Sequence, residues 1–253
     1  VQMINVTVDQ SHVGVHACCL SNLWVVDCVV RNSTADGIHF DAAQGAVAAY
    51  CWVENAGDDL YAAIAHRAGK RLPSKSNYFY HNIGMESKFA RGITLGGIDC
   101  RAIGNWTENT GCPALSFNPY GHGGHGFLFK DAIATGNTFI RGDLHQRDDN
   151  IYQHKWHGMV KLEFGIDGLL LADNRIYGGE HNGIFVSLGG APKWSITKDI
   201  TKLKQTEQEL KDYKDHLEAL VEERTSDLAK AMRMAEEATR AKSEFLANMS
   251  HEI

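Results

Sequence analysis

Cys28 and Cys51 stand 23 residues apart, and so do Asn32 and Asn55, and Gly14 and Gly37. The stretches around them match in kind: Val25-Val26-Asp27-Cys28-Val29-Val30-Arg31-Asn32 against Ala48-Ala49-Tyr50-Cys51-Trp52-Val53-Glu54-Asn55. Alternation along a strand puts Cys28, Val30 and Asn32, and likewise Cys51, Val53 and Asn55, on one face, with Arg31 and Glu54 on the other. Looser copies follow at Tyr78–Asn82, Gly136–Ile140 and Leu169–Ile176. A repeat this short is a single supersecondary unit that cannot bury its apolar side alone, whereas stacked copies build a continuous core. Short strands with Asn/Gly turns at this period predict a right-handed parallel β-helix over 1–190. The leucine-rich alternative lacks its Leu-x-x-Leu-x-Leu pattern. Stacked Asn32 and Asn55 are expected to form an inward side-chain ladder.

The repeat stops at a sharp seam. All 25 glycines, all four prolines and all six cysteines lie at or before Pro192, while residues 193–253 hold 24 of the 56 charged residues. Two architectures therefore meet there: the β-helix (1–190), a linker with a strand-like segment (191–201), a charged helix former (202–240) and a final segment (241–253). A net charge of −6 without a basic stripe argues against a nucleic-acid partner. No run of eighteen apolar residues would span a membrane, and no signal peptide is visible at Val1. The chain is expected to be a fragment of a longer protein, with the β-helix part's compartment unassigned.

Cys28 and Cys51 are expected to stack as buried thiols, small hydrophobes rather than a disulfide. Cys18 and Cys19, adjacent in sequence, cannot bridge easily, and Cys100 and Cys112 show no metal-ligand spacing. His122 and His125 stand three apart in a glycine-rich loop, and no metal is assigned to them. The chemistry candidates follow the Asn turns: Asp36 precedes Asp58 by 22 and Asp59 by 23, so the three fall on neighbouring coils at one corner. The 23-residue period stacks Asp36 on Asp59, whereas aligning Ile38 with Leu60 stacks it on Asp58. Converging carboxylates raise at least one pKa, placing a protonated acid beside an ionised base, as glycoside hydrolysis requires. Turn capping and a Ca²⁺ site are the competing readings. Aromatic side chains near the corner, Trp52 and Tyr61 above all, are candidate sugar platforms.

Thr34-Ala35-Asp36-Gly37-Ile38 followed by Asp58-Asp59 resembles the β-helix glycoside hydrolases, best the α-1,3-glucanase (mycodextranase) group, with the polygalacturonases more distant. The resemblance implies that Asp36, Asp58 and Asp59 are the catalytic residues of an inverting hydrolase acting on an α-glucan. It covers residues 20–65 closely and the rest to about 188 as β-helix texture. The Gly-His-Gly of polygalacturonases occurs here at 121–123 and 124–126, about 63 residues beyond the Asp pair, which counts against a pectinase. A non-catalytic glycan-binding β-helix is the third alternative.

Beyond the seam, Leu203, Leu210 and Leu217 recur every seven residues, and Val221, Leu228 and Ala235 continue after a four-residue shift. This predicts a long helix in a parallel dimeric coiled coil, so that the chain is a homodimer. Ala241-Lys242-Ser243-Glu244-Phe245-Leu246-Ala247-Asn248-Met249-Ser250-His251-Glu252-Ile253 resembles the start of the dimerisation and phosphoacceptor domain of sensor histidine kinases. Asp199-Ile200-Thr201 with Lys204 resembles the end of a PAS sensor domain. The resemblance implies His251 as phosphoacceptor, Glu252 as the acid beside it, a response-regulator receiver domain as partner and a cytoplasmic kinase part. ATP and Mg²⁺ would belong to a kinase core beyond this segment, and the segment itself would hold no cofactor. A PAS fold would occupy about 100 residues before Trp194, where β-helix sequence stands instead. Either a β-helix serves as the sensor's input or two unrelated reading frames were joined near Pro192.

Overall fold

The computed structural model describes residues 1–65, 73–117, 129–144, 158–162, 166–179 and 182–186. The chain divides into two units, Val1–Ile196 and Thr197–Ile253, and all described residues belong to the first. Among the described residues, twenty-one short strands form three parallel sheets of seven. The first sheet holds β1 (Gln2–Ile4), β4 (Trp24–Val26), β7 (Val47–Ala49), β10 (Tyr78–Tyr80), β13 (Arg101–Ile103), β16 (Phe129–Thr135) and β19 (Ile166–Ala172). The second holds β2 (Thr7–Asp9), β5 (Val29–Arg31), β8 (Trp52–Ala56), β11 (Ile83–Ser87), β14 (Trp106–Thr110), β17 (Thr138–Ile140) and β20 (Arg175–Tyr177). The third holds β3 (Val15–Cys18), β6 (Ile38–Asp41), β9 (Tyr61–Ile64), β12 (Ile93–Leu95), β15 (Leu115–Phe117), β18 (Gly158–Leu162) and β21 (Asn182–Val186). Each strand pairs with its counterpart one coil on, the arrangement of a parallel β-helix.

Among the described residues every regular element is a strand and none is a helix, so the fold class is all-β rather than a β-helix followed by a helical coiled coil. The heptad leucines of 202–240, the linker of 191–201 and the segment holding His251 and Glu252 lie outside the described residues, as do His122 and His125. Among the described residues no helix is long and apolar enough to cross a membrane.

Apolar side chains from all three sheets fill the interior, with Val25, Val30, Val53, Phe40, Phe79, Leu95, Phe117 and Phe139 at or near complete burial. Residues at positive φ mark the corners. Between the first and second sheets these are Asn5, Asp27, Tyr50, His81, Gly104, Gly136 and Asp173. In the second and third coils the next residue points inward: Cys28 and Cys51 occupy this place as free buried thiols. Burial pushes the Cys51 thiol up to about 12, so it remains protonated and packs as a hydrophobe.

From the fourth coil the same place is taken by asparagine. Asn82, Asn105, Asn137 and Asn174 form a ladder in which each side-chain carbonyl accepts from the N–H and Nδ2 of the asparagine before it, at 2.8–3.0 Å. Each Nδ2 also donates to a carbonyl of the preceding coil, such as Ala48 and Phe79. The inward ladder expected at Asn32 and Asn55 is therefore found at another corner. Asn32 and Asn55 sit at φ 55° and 56°, which turns their side chains outward. There Asn55 Nδ2 donates to Asn32 Oδ1 at 2.6 Å, and Asn32 Nδ2 to Asp9 Oδ1 at 2.8 Å. Gly37 is required where the chain turns into β6, because a Cβ would stand 2.6 Å from the Leu60 carbonyl oxygen and 2.2 Å from Val53.

Candidate functional site

The second and third sheets meet at the corner that carries the aspartates. β6 and β9 pair with Ile38 opposite Tyr61, and Gly37 N–H donates to Asp59 O at 2.9 Å, so Asp36 stacks on Asp59 and Asp58 lies beside them. The 23-residue period thus sets the register, and Leu60 falls opposite Gly37 rather than Ile38. One carboxylate oxygen from each of Asp36, Asp58 and Asp59 lies within 4.8 Å of the others.

The three differ in surroundings. Asp59 is buried at 2% exposure. Its Oδ1 accepts from Arg91 N and Nε, both at 2.9 Å, and its Oδ2 from Thr94 Oγ1 at 2.6 Å. Asp36 is buried; its Oδ1 accepts the Asp59 N–H at 3.0 Å, and its Oδ2 lies 2.6 Å from His39 Nδ1. A carboxylate can only accept, so Nδ1–H is the donor and the ring tautomer follows. Asp58 is exposed at the rim.

Electrostatics follow that arrangement. Partial desolvation, then the charges of Asp59 and Asp36, push Asp58 up to about 6, with Arg91 and His39 pulling the other way. Burial raises Asp59 as well, against the guanidinium of Arg91. For His39 burial disfavours the imidazolium, but the Asp36 hydrogen bond and the charges of Asp36, Asp41 and Asp59 outweigh it and the pKa rises. A carboxyl group that titrates near neutrality at a solvent rim can give up a proton, and the buried pair behind it can hold negative charge. Clustered carboxylates also suit a hard cation, but Arg91, Thr94, His39 and a backbone N–H already compensate two of the three from within the protein.

The aromatic candidates separate. Trp52 is exposed on the outer face of β8, where its Nε1 donates to Glu54 Oε2 at 3.3 Å, but it opens that strand while the aspartates follow the strand's other end. Tyr61 is fully buried, its ring tilted against Phe79 in the core, and its one hydroxyl proton is shared between the carbonyls of Cys51 and Ile83, at 3.1 and 2.7 Å. Its ring has no face for a sugar, so the platform expectation is corrected there: at the start of β9 its side chain points into the helix interior.

His39, Arg91 and Thr94 are absent from the sequence-level set. His39 could have been found, since it stands 23 residues after His16 and three after Asp36. Arg91 and Thr94 follow Asp59 by 32 and 35 residues and carry no periodic signal. Further along the outer face of the third sheet, β3 and β6 pair His16 with His39 and Cys18 with Asp41. The His16 and His39 rings lie 5.2 Å apart, centroid to centroid. Comparison with protein-family models, with curated proteins and with solved structures finds no match to the chain.

Proposed function

We propose that the β-helix is a polysaccharide-acting domain whose Asp36–Asp58–Asp59 corner cleaves a glycosidic bond. The observation that carries this reading is the rim carboxyl Asp58, raised to about 6, within 4.8 Å of two buried carboxylates. Asp58 protonates the leaving oxygen, and Asp36, held by His39, takes the proton of the water that attacks the anomeric carbon. Asp59, pinned by Arg91 and Thr94, is a positioning residue that keeps the Asp58 proton in place through its charge. The resemblance implies inversion, in which water attacks the anomeric carbon directly and no covalent glycosyl-enzyme forms. The resemblance of residues 34–38 and 58–59 to α-1,3-glucanases makes an α-glucan the first substrate class to offer. Incubation of the full chain with α-1,3-glucan should release oligosaccharides, with proton NMR showing an inverted anomer. Asp58→Asn should remove turnover while leaving glucan binding intact. No release from any α-glucan, together with no binding, sinks the proposal.

A second reading rests on the segment 241–253, which resembles a histidine-kinase phosphoacceptor. In that reading the chain joins a polysaccharide-directed domain to two-component signalling, with His251 as phosphoacceptor, Glu252 assisting its proton transfer and a receiver domain as recipient. A matching kinase core supplied with ATP and Mg²⁺ should place an acid-labile phosphoryl group on His251. Label that persists in His251→Gln removes this reading.

A further inference from the structure

His16, Cys18 and Asp41 lie outside the carboxylate corner, and the fold brings them together for a simple reason. His16 and Cys18 are two apart on β3 and share its outer face, and the register of β3 on β6 sets Asp41 directly beside Cys18. The Cys18 thiol lies 3.7 Å from Asp41 Oδ2, and His16 Nε2 lies 3.9 Å from the same oxygen. One ligand atom from each falls within 4.8 Å of the other two. A tetrahedral zinc ion with bonds of about 2.0–2.3 Å holds its ligand atoms about 3.3–3.7 Å apart. The Cys18–Asp41 separation already matches a sulfur–oxygen edge of that tetrahedron, and the His16–Asp41 separation exceeds a nitrogen–oxygen edge by about half an ångström, which a turn of the exposed His16 ring can close.

The donor set discriminates among ions. One sulfur, one imidazole nitrogen and one carboxylate oxygen suit a borderline ion such as zinc and disfavour Ca²⁺ and Mg²⁺, which take oxygen. The Asp41 side chain is 6% exposed, whereas His16 is 46% exposed and Cys18 is exposed, so an ion has a way in.

We propose that His16 Nε2, Cys18 Sγ and Asp41 Oδ2 form a zinc site on the outer face of the third sheet. Coordination forms a zinc–thiolate bond and releases the Cys18 proton to solvent. Three protein ligands leave a fourth tetrahedral position for water, the open type of zinc site rather than the closed four-ligand type.

Cobalt reports on the site directly, because a thiolate–Co²⁺ bond gives charge-transfer absorption in the near ultraviolet. The full chain, kept reduced by a thiol-free reductant, should take up one equivalent of Co²⁺ with that absorption, and Zn²⁺ should displace it. Cys18→Ser should abolish the absorption, Cys112→Ser should retain it, and His16→Gln should weaken Co²⁺ binding at least about tenfold. Far-ultraviolet circular dichroism establishes that the variants fold, and His16 and Cys18 are surface positions whose replacement leaves the core untouched. Absence of thiolate absorption in the parent, or its persistence in folded Cys18→Ser, overturns the proposal.

Discussion

Asp59 donates its backbone N–H to Asp36 Oδ1 at 3.0 Å, so the carboxylate of one coil caps the chain of the next. One side chain thereby joins turn chemistry to the candidate chemistry of the corner. The same contact explains why Asp36 and Asp59 are so closely held while Asp58, one residue away, meets solvent.

Asp58 makes stability depend on pH in a defined window. Its pKa rises from 3.8 to about 6 on folding, so the folded chain binds the proton more tightly than the unfolded chain. That contribution is complete below about pH 4 and is lost as pH rises through about 6. Urea unfolding of the parent should show falling stability across this window, and Asp58→Asn should flatten the curve. A parent curve with the opposite slope, unchanged by the substitution, would contradict the assignment.

Arg91→Leu leaves the buried Asp59 carboxylate without its guanidinium. The expected loss is about 3 kcal/mol of unfolding free energy, since breaking a buried pair on one side costs more than the pair contributes. Asp59→Asn in the same chain should recover part of it, and a double-mutant cycle by chemical denaturation measures the coupling.

Tyr61→Phe tests the burial of that ring. Loss of the hydroxyl removes the one donor shared by the Cys51 and Ile83 carbonyls, for an expected cost of about 1–2 kcal/mol. Glucan binding, measured by calorimetry, should be unchanged. A selective loss of binding at full stability would place the ring at the surface after all.

Asn105→Leu interrupts the inward ladder at its middle. Asn82 N–H and Nδ2 lose their acceptor, and the Phe79 carbonyl loses its donor. Orphaned buried groups cost about 1–3 kcal/mol each, so a destabilisation of about 3 kcal/mol or more is expected from thermal or urea unfolding. Trp106→Thr, on the exposed side of the neighbouring strand, should cost well under half of that.

The sequence carried the β-helix because two coils keep the strict period, and Asp36 with Asp59 was visible through it. Beyond them the offsets between paired strands vary: Tyr61 meets Ile93, 32 residues on, and Leu115 meets Val160, 45 residues on. Extra residues enter between strands and leave pairing intact, so register survives where sequence period does not. That hid Arg91 and Thr94 from any spacing argument. The inward asparagines were misplaced because alternation alone cannot see a positive φ at Asn32, which reverses the direction of its side chain. Tyr61 was misread because an aromatic beside a polar corner looks alike in sequence whether it faces in or out. His39 was legible and overlooked: its spacing from His16 repeats that of Cys28 and Cys51.

The asparagine ladder also makes the backbone corner of the coils that carry it interchangeable. Deleting residues 83–105 would take out one 23-residue turn and bring Asn82 against Asn137, a partner of the same kind as the one it lost. The shortened β-helix would still have a continuous spine of side-chain amides. It would also have lost Arg91 and Thr94, and with them the clamp on Asp59. The asparagine spine is therefore modular, while the corner chemistry draws on three successive coils at once and cannot be divided among them.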